Sequence, residues 1–159
     1  MAVLLKCIGS TSTCSRIKPD VFLKSPIETD RKAVAEQTRP AFSIELPILR
    51  RLGSHPRIQG EGLLLGEASH GNLQAYINAN SSSIDFPLRK KRCYQPAQAV
   101  AYTHSRGVIR SDLRPENILG YESAPGSLEL LLCDFSGVEI TPALDIFSLG
   151  AVLYTILTG

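Results

Sequence analysis

The chain has 159 residues, 43% of them hydrophobic and 20% charged, a composition typical of a globular domain that excludes a disordered chain. Its 17 basic and 15 acidic residues leave a formal net charge of +2, so the composition predicts neither a nucleic-acid nor a membrane partner. The cysteines are widely spaced and form no C-x-x-C pair, which argues against a zinc site or a disulfide scaffold and predicts an intracellular, cytoplasmic protein: Cys7, Cys14, Cys93 and Cys133.

The first third of the chain predicts a loop, a strand and a helical stretch. Residues 8–16, "IGSTSTCSR", are rich in Gly, Ser and Thr and predict a loop. Residues 20–26, "DVFLKSP", predict a short strand that carries Lys24. Residues 28–52 predict a mostly helical stretch, and Gly53 suits the position that follows its last turn.

The middle of the chain predicts a further strand and two helices. Residues 62–73, "GLLLGEASHGNL", predict a strand and a Gly-containing connection into a helix that continues through Ile77. The polar residues 78–85 predict a surface loop, and residues 88–105 predict a long helix that ends before Gly107. The helical spacing of five residues predicts the buried face of this helix: Cys93, Ala97, Val100, Ala101 and His104.

The stretch "GVIRSDLRPENILG", residues 107–120, places a polar, Pro-containing centre between two short apolar runs. This pattern predicts a strand, a tight loop and a second strand, with the carboxylate of Asp112 beside the carboxamide of Asn117. A plainer interpretation is a polar turn, since Asp, Asn, Ser and Pro are ordinary turn residues. Residues 128–137, "LELLLCDFSG", then predict a strand that ends at Asp134.

The final stretch, "DIFSLGAVLYTILTG", predicts a buried core helix with Asp145 near its start, where an acidic side chain suits the helix dipole. It is shorter than the roughly 18 apolar residues expected of a membrane-spanning helix. Together the elements predict an α+β fold with a β-containing first half and a helical second half.

Several of these segments resemble the protein kinases, and they occur in the kinase order along nearly the whole chain. "GVIRSDLRPENIL" resembles the kinase catalytic loop, whose pattern is H-R-D-L-K-P-x-N, and "LLLCDFSG" resembles the metal-binding D-F-G segment. "VFLK" resembles the strand with the nucleotide lysine, "SIELPILRRLGSHPRI" the helix with its partner glutamate, and "GLLLGEASHGNL" the hinge between the lobes. "DIFSLGAVLYTILTG" resembles the central helix of the C-lobe, and "SDLRPEN" is similar to kinase-like proteins of filamentous fungi.

The resemblance implies an incomplete, two-lobed protein kinase-like fold in a single partial domain. Residues 1–65 correspond to a small N-lobe, 66–71 to the hinge and 72–159 to a truncated C-lobe. It also implies transfer of the γ-phosphoryl group of ATP to serine or threonine of a protein substrate, with ATP and Mg²⁺ as cofactors.

The kinase resemblance implies a role for each polar residue of the second half. Asp112 accepts or orients the proton of the substrate hydroxyl, and Arg114 lies near the transferred phosphate. Asn117 and Asp134 hold magnesium, a hard cation that prefers oxygen ligands. Since a base and a metal ligand must face the same phosphate, we expect Asp112, Asn117 and Asp134 to cluster.

The same resemblance assigns residues of the first half to the nucleotide. Lys24 reaches the α and β phosphates, and Glu45 faces Lys24 and fixes its ammonium group. The loop at Gly9 covers the phosphates, and Leu65 lies in the hinge that contacts the nucleotide. We expect the pair of Lys24 and Glu45 to lie above the cluster around Asp112.

The sequence departs from the kinase pattern at several positions. Thr11 and Cys14 stand where the second and third glycines of the phosphate loop fall, and a Cβ there crowds the approach of the backbone to phosphate. Arg110 and Ser111 replace the H-R pair of the catalytic loop, and the glycine of D-F-G is displaced to Gly137. Little chain remains for the strand before the hinge or for the activation segment.

Other polar residues have plainer interpretations. His104 lies on the apolar side of its helix and is expected to be packed and hydrogen-bonded. His55 and His70 lie in turns and are expected to be solvated. The basic cluster "RKKR", residues 89–92, is interpreted as a solvated helix start rather than a nuclear signal.

The sequence leaves three hypotheses open. The first is an ATP-dependent serine/threonine kinase of reduced size and activity. The second is a non-catalytic pseudokinase or interaction module, and the third is an inactive fragment of a kinase gene or a product that lacks internal segments. The apolar helix at residues 145–159 also predicts self-association or a protein partner, because the helices that wrap it in a complete kinase are missing.

Overall fold

Two small antiparallel sheets and a set of helices make up the part of the chain that the structure describes. The structure is a computed structural model, and it describes residues 7–8, 12–19, 21–26, 43–55, 64–110, 112–135 and 141–159. These residues form two units. The first unit contains the described residues up to 54 together with residues 64–67, and the second contains residue 55 and the described residues from 68 onward. The predicted α+β class is confirmed, and the predicted division into lobes and hinge stays a prediction.

The first unit contains a four-stranded antiparallel sheet in the order β1-β2-β3-β4. The predicted strand around Lys24 is confirmed, and Cys14 of β2 lies opposite Lys24 in the ladder. The strand predicted within residues 62–73 is also confirmed, since Leu65 of β4 pairs with Phe22 of β3. The strands have these bounds: β1 Cys7–Ile8, β2 Ser12–Lys18, β3 Val21–Pro26 and β4 Leu64–Gly66.

The loop predicted over residues 8–16 is wrong for most of its length. Residues from Ser12 onward form β2, whose backbone pairs along β3. The prediction relied on the Ser and Thr content of the segment, yet Thr is a good strand former. The side chain of Thr13 is buried, with its Oγ1 3.4 Å from Oγ of Ser25 on the neighbouring strand. Cross-strand pairing therefore decides the conformation of this segment, which its composition does not reveal.

Helix α1 covers residues 43–52 within the first unit, and the rest of the predicted helical stretch, residues 28–42, lies outside the described residues. Leu49 and Leu52 are buried on one side of α1, and Glu45 is buried one turn earlier. Gly53 has φ +64°, and its N–H donates to the carbonyl of Leu49 at 2.9 Å. This left-handed glycine caps the helix as predicted.

The second unit contains helices α2, α3 and α4 and a β-hairpin. The helices are α2 Leu73–Asn80, α3 Phe86–Ser105 and α4 Pro142–Thr158, and the hairpin strands are β5 Ile118–Ala124 and β6 Ser127–Leu132. A polar side chain caps the first turn of each helix by accepting a backbone N–H: Asn72, Asp85 and Thr141. The core of this unit is apolar and includes Ile77, Val100, Ile118, Leu132, Phe135, Val152 and Ile156.

Two predicted elements in this unit, a loop and a strand, are wrong. The loop predicted over residues 78–85 is mostly helical, because α2 continues to Asn80 and a 3₁₀ turn covers Ser81–Ser83. The strand predicted before the polar loop does not form at residues 107–110, although Val108 is buried there. The strands predicted after the loop are present as β5 and β6, and they pair with each other.

The predicted buried face of α3 is confirmed only in part, because Val100 is buried and Cys93, Ala97 and His104 are half-buried. Ala101 is exposed, whereas Arg89, Arg92 and Gln95 are buried. The guanidinium of Arg89 donates to the carbonyls of Ser81, Ile84 and Ile156 at 2.8–3.2 Å. The basic cluster at 89–92 is therefore not a solvated helix start, since its two arginines are buried and only the two lysines between them are exposed.

Helix α4 buries one face against α3 and leaves the other uncovered in the part of the chain that the structure describes. Val152 and Ile156 are buried, as expected of a core helix. Ile146, Phe147 and Tyr154 are exposed by 56%, 77% and 69%. None of the described helices is long and apolar enough to cross a membrane. The exposed face of α4 is an apolar surface of the kind that promotes association.

We expect the exposed side chains of α4 to cause self-association at high protein concentration. Phe147→Ala removes the most exposed of them and should lower the associated fraction, with less than about 0.5 kcal/mol change in the free energy of unfolding. Light scattering over a concentration series measures the association. The matched control is Ile156→Ala on the buried face, which should cost about 2–5 kcal/mol of stability. A protein that stays monomeric at every concentration contradicts this expectation.

Candidate functional site

A buried ion pair joins the sheet and the helix of the first unit. Nζ of Lys24 lies 2.7 Å from Oε1 and 2.6 Å from Oε2 of Glu45. The side chains are only 9% and 4% exposed. Lys24 projects from β3, and Glu45 from the first described turn of α1. The charge-assisted contact fixes the position of an ammonium group that could bind an anion.

The polar loop of the second unit brings Asp112 and Asn117 together. Pro115 begins a 3₁₀ turn, Pro115–Asn117, at a position where its fixed φ and missing N–H are tolerated. The turn directs the carboxamide of Asn117 back to Asp112, where Nδ2 donates to the backbone oxygen at 3.0 Å and to Oδ2 at 2.9 Å. Nε of Arg114 lies 3.5 Å from the other carboxylate oxygen, and the side chain of Asp112 is 51% exposed.

Asp134 lies two residues after the end of β6, beside this loop. The N–H of Cys133 donates to the carbonyl of Asn117 at 3.1 Å, which ties the end of the strand to the loop. Asp134 has φ +63°, a backbone conformation in the left-handed region that is uncommon for a residue with a Cβ. The structure therefore brings Asp112, Asn117 and Asp134 into one region of the second unit.

Arg110 lies beside this region, a place that its sequence context did not predict. The side chain is 2% exposed, and Nη2 donates to the carbonyl of Cys133. Its guanidinium carbon lies 5.1 Å from the ring centre of Phe135. Burial lowers the pKa of Arg110 below its usual value, and the nearby Cys133, Asp134, Asp112 and Asp145 oppose that shift. In the sequence, Arg110 stood out only as a departure from the H-R pair of the catalytic loop.

A buried carboxylate holds the start of the loop in place. Asp145 is 1% exposed, and its Oδ2 accepts the backbone N–H of Arg110 at 2.8 Å. The same oxygen is hydrogen-bonded to Nε2 of His104 at 2.9 Å. The prediction of a packed, hydrogen-bonded His104 is therefore confirmed. Asp145 connects α4, α3 and the loop, a role that its predicted place near a helix start did not reveal.

The remaining histidines and predicted site residues have different outcomes. His55 is not simply solvated, because its ring stacks on Tyr102 with 3.8 Å between centroids, whereas His70 is exposed as predicted. Gly9 and Ser111 lie outside the described residues. Leu65 is described through its backbone, which belongs to β4.

The two groups of site residues belong to different units of the structure. Lys24 and Glu45 lie in the first unit, whereas Asp112, Asn117 and Asp134 lie in the second. The described residues contain no group of three or more His, Cys, Asp or Glu side chains that could hold a metal ion by themselves. A site built from Asn117 and Asp134 therefore needs further oxygen ligands from solvent or substrate, which is how Mg²⁺ is commonly bound.

Comparison with known proteins identifies relatives along nearly the whole chain. No protein-family model matches the chain. It is 30% identical over 190 residues to ribosomal protein S6 kinase alpha-6 of Mus musculus and to ribosomal protein S6 kinase alpha-1 of Rattus norvegicus, matches that cover 96% of the chain. It is 29% identical over 189 residues to ribosomal protein S6 kinase 2 beta of Xenopus laevis, again over 96% of the chain.

The matches cover 24%, 25% and 29% of these three relatives, so the chain spans about a quarter of their length. The alignments of 189–190 positions exceed the 159 residues of the chain, so they contain positions at which the relatives have residues and this chain has none.

We expect the pair Lys24–Glu45 to be coupled strongly in stability. Lys24→Met removes the cation that the buried carboxylate contacts and should cost about 3–5 kcal/mol of unfolding free energy. The double variant Lys24→Met with Glu45→Leu should lose less than the single variant. Glu67→Gln, which breaks the partly exposed pair with Arg16, is the control and should cost less than about 1 kcal/mol. Urea unfolding measures all of these values, and additive losses in the double variant would contradict the coupling.

We expect Asp145→Asn to destabilise the start of the polar loop. One carboxylate oxygen serves two donors here, so the variant should lose about 1.5–3 kcal/mol of stability and should speed hydrogen exchange at the amide of Arg110. Asp85→Asn is the matched control, because asparagine caps a helix as well as aspartate does. Equal exchange rates at Arg110 in both variants would count against the anchoring role of Asp145.

Proposed function

Since this chain belongs to the protein kinase-like family, we propose that it binds ATP with Mg²⁺ and transfers the γ-phosphoryl group to serine or threonine of a protein substrate, at a reduced rate. The observation that carries the proposal is the hydrogen bond of 2.9 Å between Nδ2 of Asn117 and Oδ2 of Asp112. It holds a half-exposed carboxylate beside a second polar group, within a loop whose sequence is similar to the kinase catalytic loop. Such a carboxylate is accessible to a substrate hydroxyl and can accept its proton.

The oxygen atoms of the side chains near Asp112 are compatible with a magnesium site. Because Nδ2 of Asn117 is used by Asp112, the other carboxamide atom, Oδ1, is the one that could bind a cation. With the carboxylate of Asp134 it supplies two hard oxygen ligands, and Mg²⁺ often binds one or two protein oxygens together with water and phosphate oxygens. Bound Mg²⁺ neutralises charge on the phosphates during phosphoryl transfer. In this proposal Arg114 contributes a further positive charge close to the transferred group.

The buried pair of the first unit supports a role for Lys24 in phosphate binding. Glu45 limits the ammonium group to one position, which lowers the entropy that nucleotide binding has to overcome. We assign the loop at Gly9 to the phosphates and Leu65 to the nucleotide by family analogy. The names of the relatives, ribosomal protein S6 kinases, support a serine/threonine kinase that acts on proteins.

Two features of the chain favour a low rate of phosphoryl transfer. Thr11 and Cys14 replace glycines of the phosphate loop, and phosphoryl transfer depends on accurate positioning. The alignments with the relatives also contain positions at which this chain has no residues. The protein acts inside the cell in this proposal, with no nucleic-acid or membrane partner, in agreement with its small net charge of +2.

A second candidate function is a non-catalytic, kinase-derived interaction module. The observation that favours it is the exposed apolar face of α4, where Phe147 is 77% exposed and Tyr154 69% exposed. A protein partner that covers this face would remove these apolar side chains from water. Such a module needs no phosphoryl transfer, so Asp112 is required for the first candidate function and not for the second.

Calorimetric titration with ATP, with and without Mg²⁺, tests the proposed function. We expect weak binding that requires Mg²⁺, and we expect Asp134→Asn to weaken it because a metal ligand is lost. Binding that is unchanged by a chelator or by Asp134→Asn contradicts the metal role. Lys18→Met, on the exposed part of β2, is a control for Lys24→Met, which should abolish binding.

Peptide phosphorylation with labelled ATP separates the two candidates. We expect slow transfer that Asp112→Ala abolishes. Nucleotide binding without any transfer would instead support the interaction module.

A further inference from the structure

Two cysteines lie directly opposite each other in the sheet of the first unit. Strand β1 pairs with β2 in an antiparallel register that places Cys7 opposite Cys14. On its other side β2 pairs along β3, with Cys14 opposite Lys24, so the position of Cys14 is fixed by two neighbouring strands. Cys14 is half-buried and carries a thiol. The backbone of the sheet therefore keeps these two cysteine positions side by side.

The spacing of directly opposite residues in a sheet matches the geometry of a disulfide. In an antiparallel pair such residues share one face of the sheet, and their Cα atoms are about 5.5 Å apart in a hydrogen-bonded pair and about 4.5 Å apart in the other kind. The Cα atoms of a disulfide are usually about 4.4–6.8 Å apart, so both kinds of pair lie within the range. A bond between Cys7 and Cys14 therefore requires no change in the pairing of the strands.

We propose that Cys7 and Cys14 form a reversible disulfide by exchange with a low-molecular-weight disulfide such as oxidised glutathione. The thiolate of one cysteine attacks a sulfur of oxidised glutathione, which forms a mixed disulfide and releases one glutathione. The thiolate of the second cysteine then attacks the protein sulfur of the mixed disulfide and releases the second glutathione. Two protein thiols are oxidised, one glutathione disulfide is reduced to two thiols, and the two protons pass to the released glutathione molecules.

The register of the strands favours this bond beyond what the short separation in sequence does. In an unfolded chain, two groups joined by a short flexible segment meet at an effective concentration on the order of millimolar. In the sheet the two positions are held in place, and groups held in place react at far higher effective concentrations. Since linkage is reciprocal, the bond and the pairing of β1 with β2 stabilise each other. Reversible disulfides of intracellular proteins commonly serve redox sensing, and this one depends neither on nucleotide binding nor on phosphoryl transfer.

The other two cysteines are internal controls for this chemistry. Cys93 lies in α3 and Cys133 directly follows β6, both in the second unit. In the described hairpin of β5 and β6 no cysteine lies opposite another. Oxidised glutathione should therefore convert Cys93 and Cys133 to mixed disulfides at most, and their modification reports the strength of the oxidant in the same sample.

Equilibration of the full chain with mixtures of reduced and oxidised glutathione, followed by trapping of thiols and peptide mass spectrometry, tests the proposal. Trypsin cleaves after Lys6 and Arg16, so one peptide contains both cysteines, and the internal disulfide lowers its mass by that of two hydrogen atoms. The ratio of the two forms gives the equilibrium constant of the disulfide. We expect this constant to be higher by about tenfold or more in the folded chain than in the chain unfolded in urea, which keeps the sequence separation and loses the register.

A swap of two neighbouring residues separates the effect of the register from that of sequence distance. Cys7→Ile together with Ile8→Cys keeps the composition and moves the cysteine to the position opposite Thr13. Successive residues of a strand face opposite sides of the sheet, so the moved cysteine belongs to the other face from Cys14. We expect the folded, swapped chain to form the internal disulfide with a constant lower by about tenfold or more, and the two chains to behave alike in urea.

Equal constants in the folded and the unfolded chain overturn the proposal, and so does glutathione that stays attached to Cys7 or Cys14 without formation of the internal bond. If the swapped chain does not fold, the comparison of the unmodified chain with and without urea decides the question by itself. Urea unfolding of the oxidised and the reduced chain gives an independent measurement. The oxidised chain should unfold at a higher urea concentration, because the bond restricts the unfolded state, and equal midpoints contradict the proposal.

Discussion

The carboxylate of Asp145 is the point on which the arrangement of the polar loop depends. A carboxylate that is 1% exposed is stable only when hydrogen-bond donors satisfy it, and here the backbone of Arg110 and the ring of His104 both serve Oδ2. These bonds fix where the chain leaves α3 and where the loop begins. With its backbone held, the side chain of Arg110 lies under β6 and contacts the carbonyl of Cys133. The position of the strand end and of Asp134 follows from that contact.

Hydrogen bonds thus hold the polar loop from both sides, and they differ in how far apart their partners lie in the sequence. On one side the contacts are local, since Asn117 reaches Asp112 across a single 3₁₀ turn. On the other side they join distant parts of the chain, because Asp145 lies 35 residues after Arg110. The local part could be predicted from the spacing of Asp112, Pro115 and Asn117. The distant part could not, because nothing in the residues around Asp145 indicates which backbone N–H its carboxylate will accept.

The same difference between local and long-range contacts explains which parts of the fold were predicted correctly. The strand with Lys24 and helices α3 and α4 were predicted, because an apolar run and the helical spacing of apolar residues show in the local sequence. Strand β2 was missed because its Ser and Thr residues become a strand only through pairing with β3. The buried face of α3 was predicted only in part, because Arg89 is buried by acceptors that include Ile156, 67 residues away. Polarity predicts exposure only when no such acceptors exist.

The contacts of Arg89 have a consequence for the order in which the second unit opens. Its guanidinium binds carbonyls at Ser81 and Ile84, near the junction of α2 and α3, and at Ile156 in the last turns of α4. Helix ends normally fray independently, at low cost in free energy. Here opening the C-terminal turns of α4 leaves Nη1 of Arg89, a buried donor, without its acceptor. This contact therefore couples the end of α4 to the α2–α3 junction, and the last turns of α4 should fray less readily than an ordinary helix end.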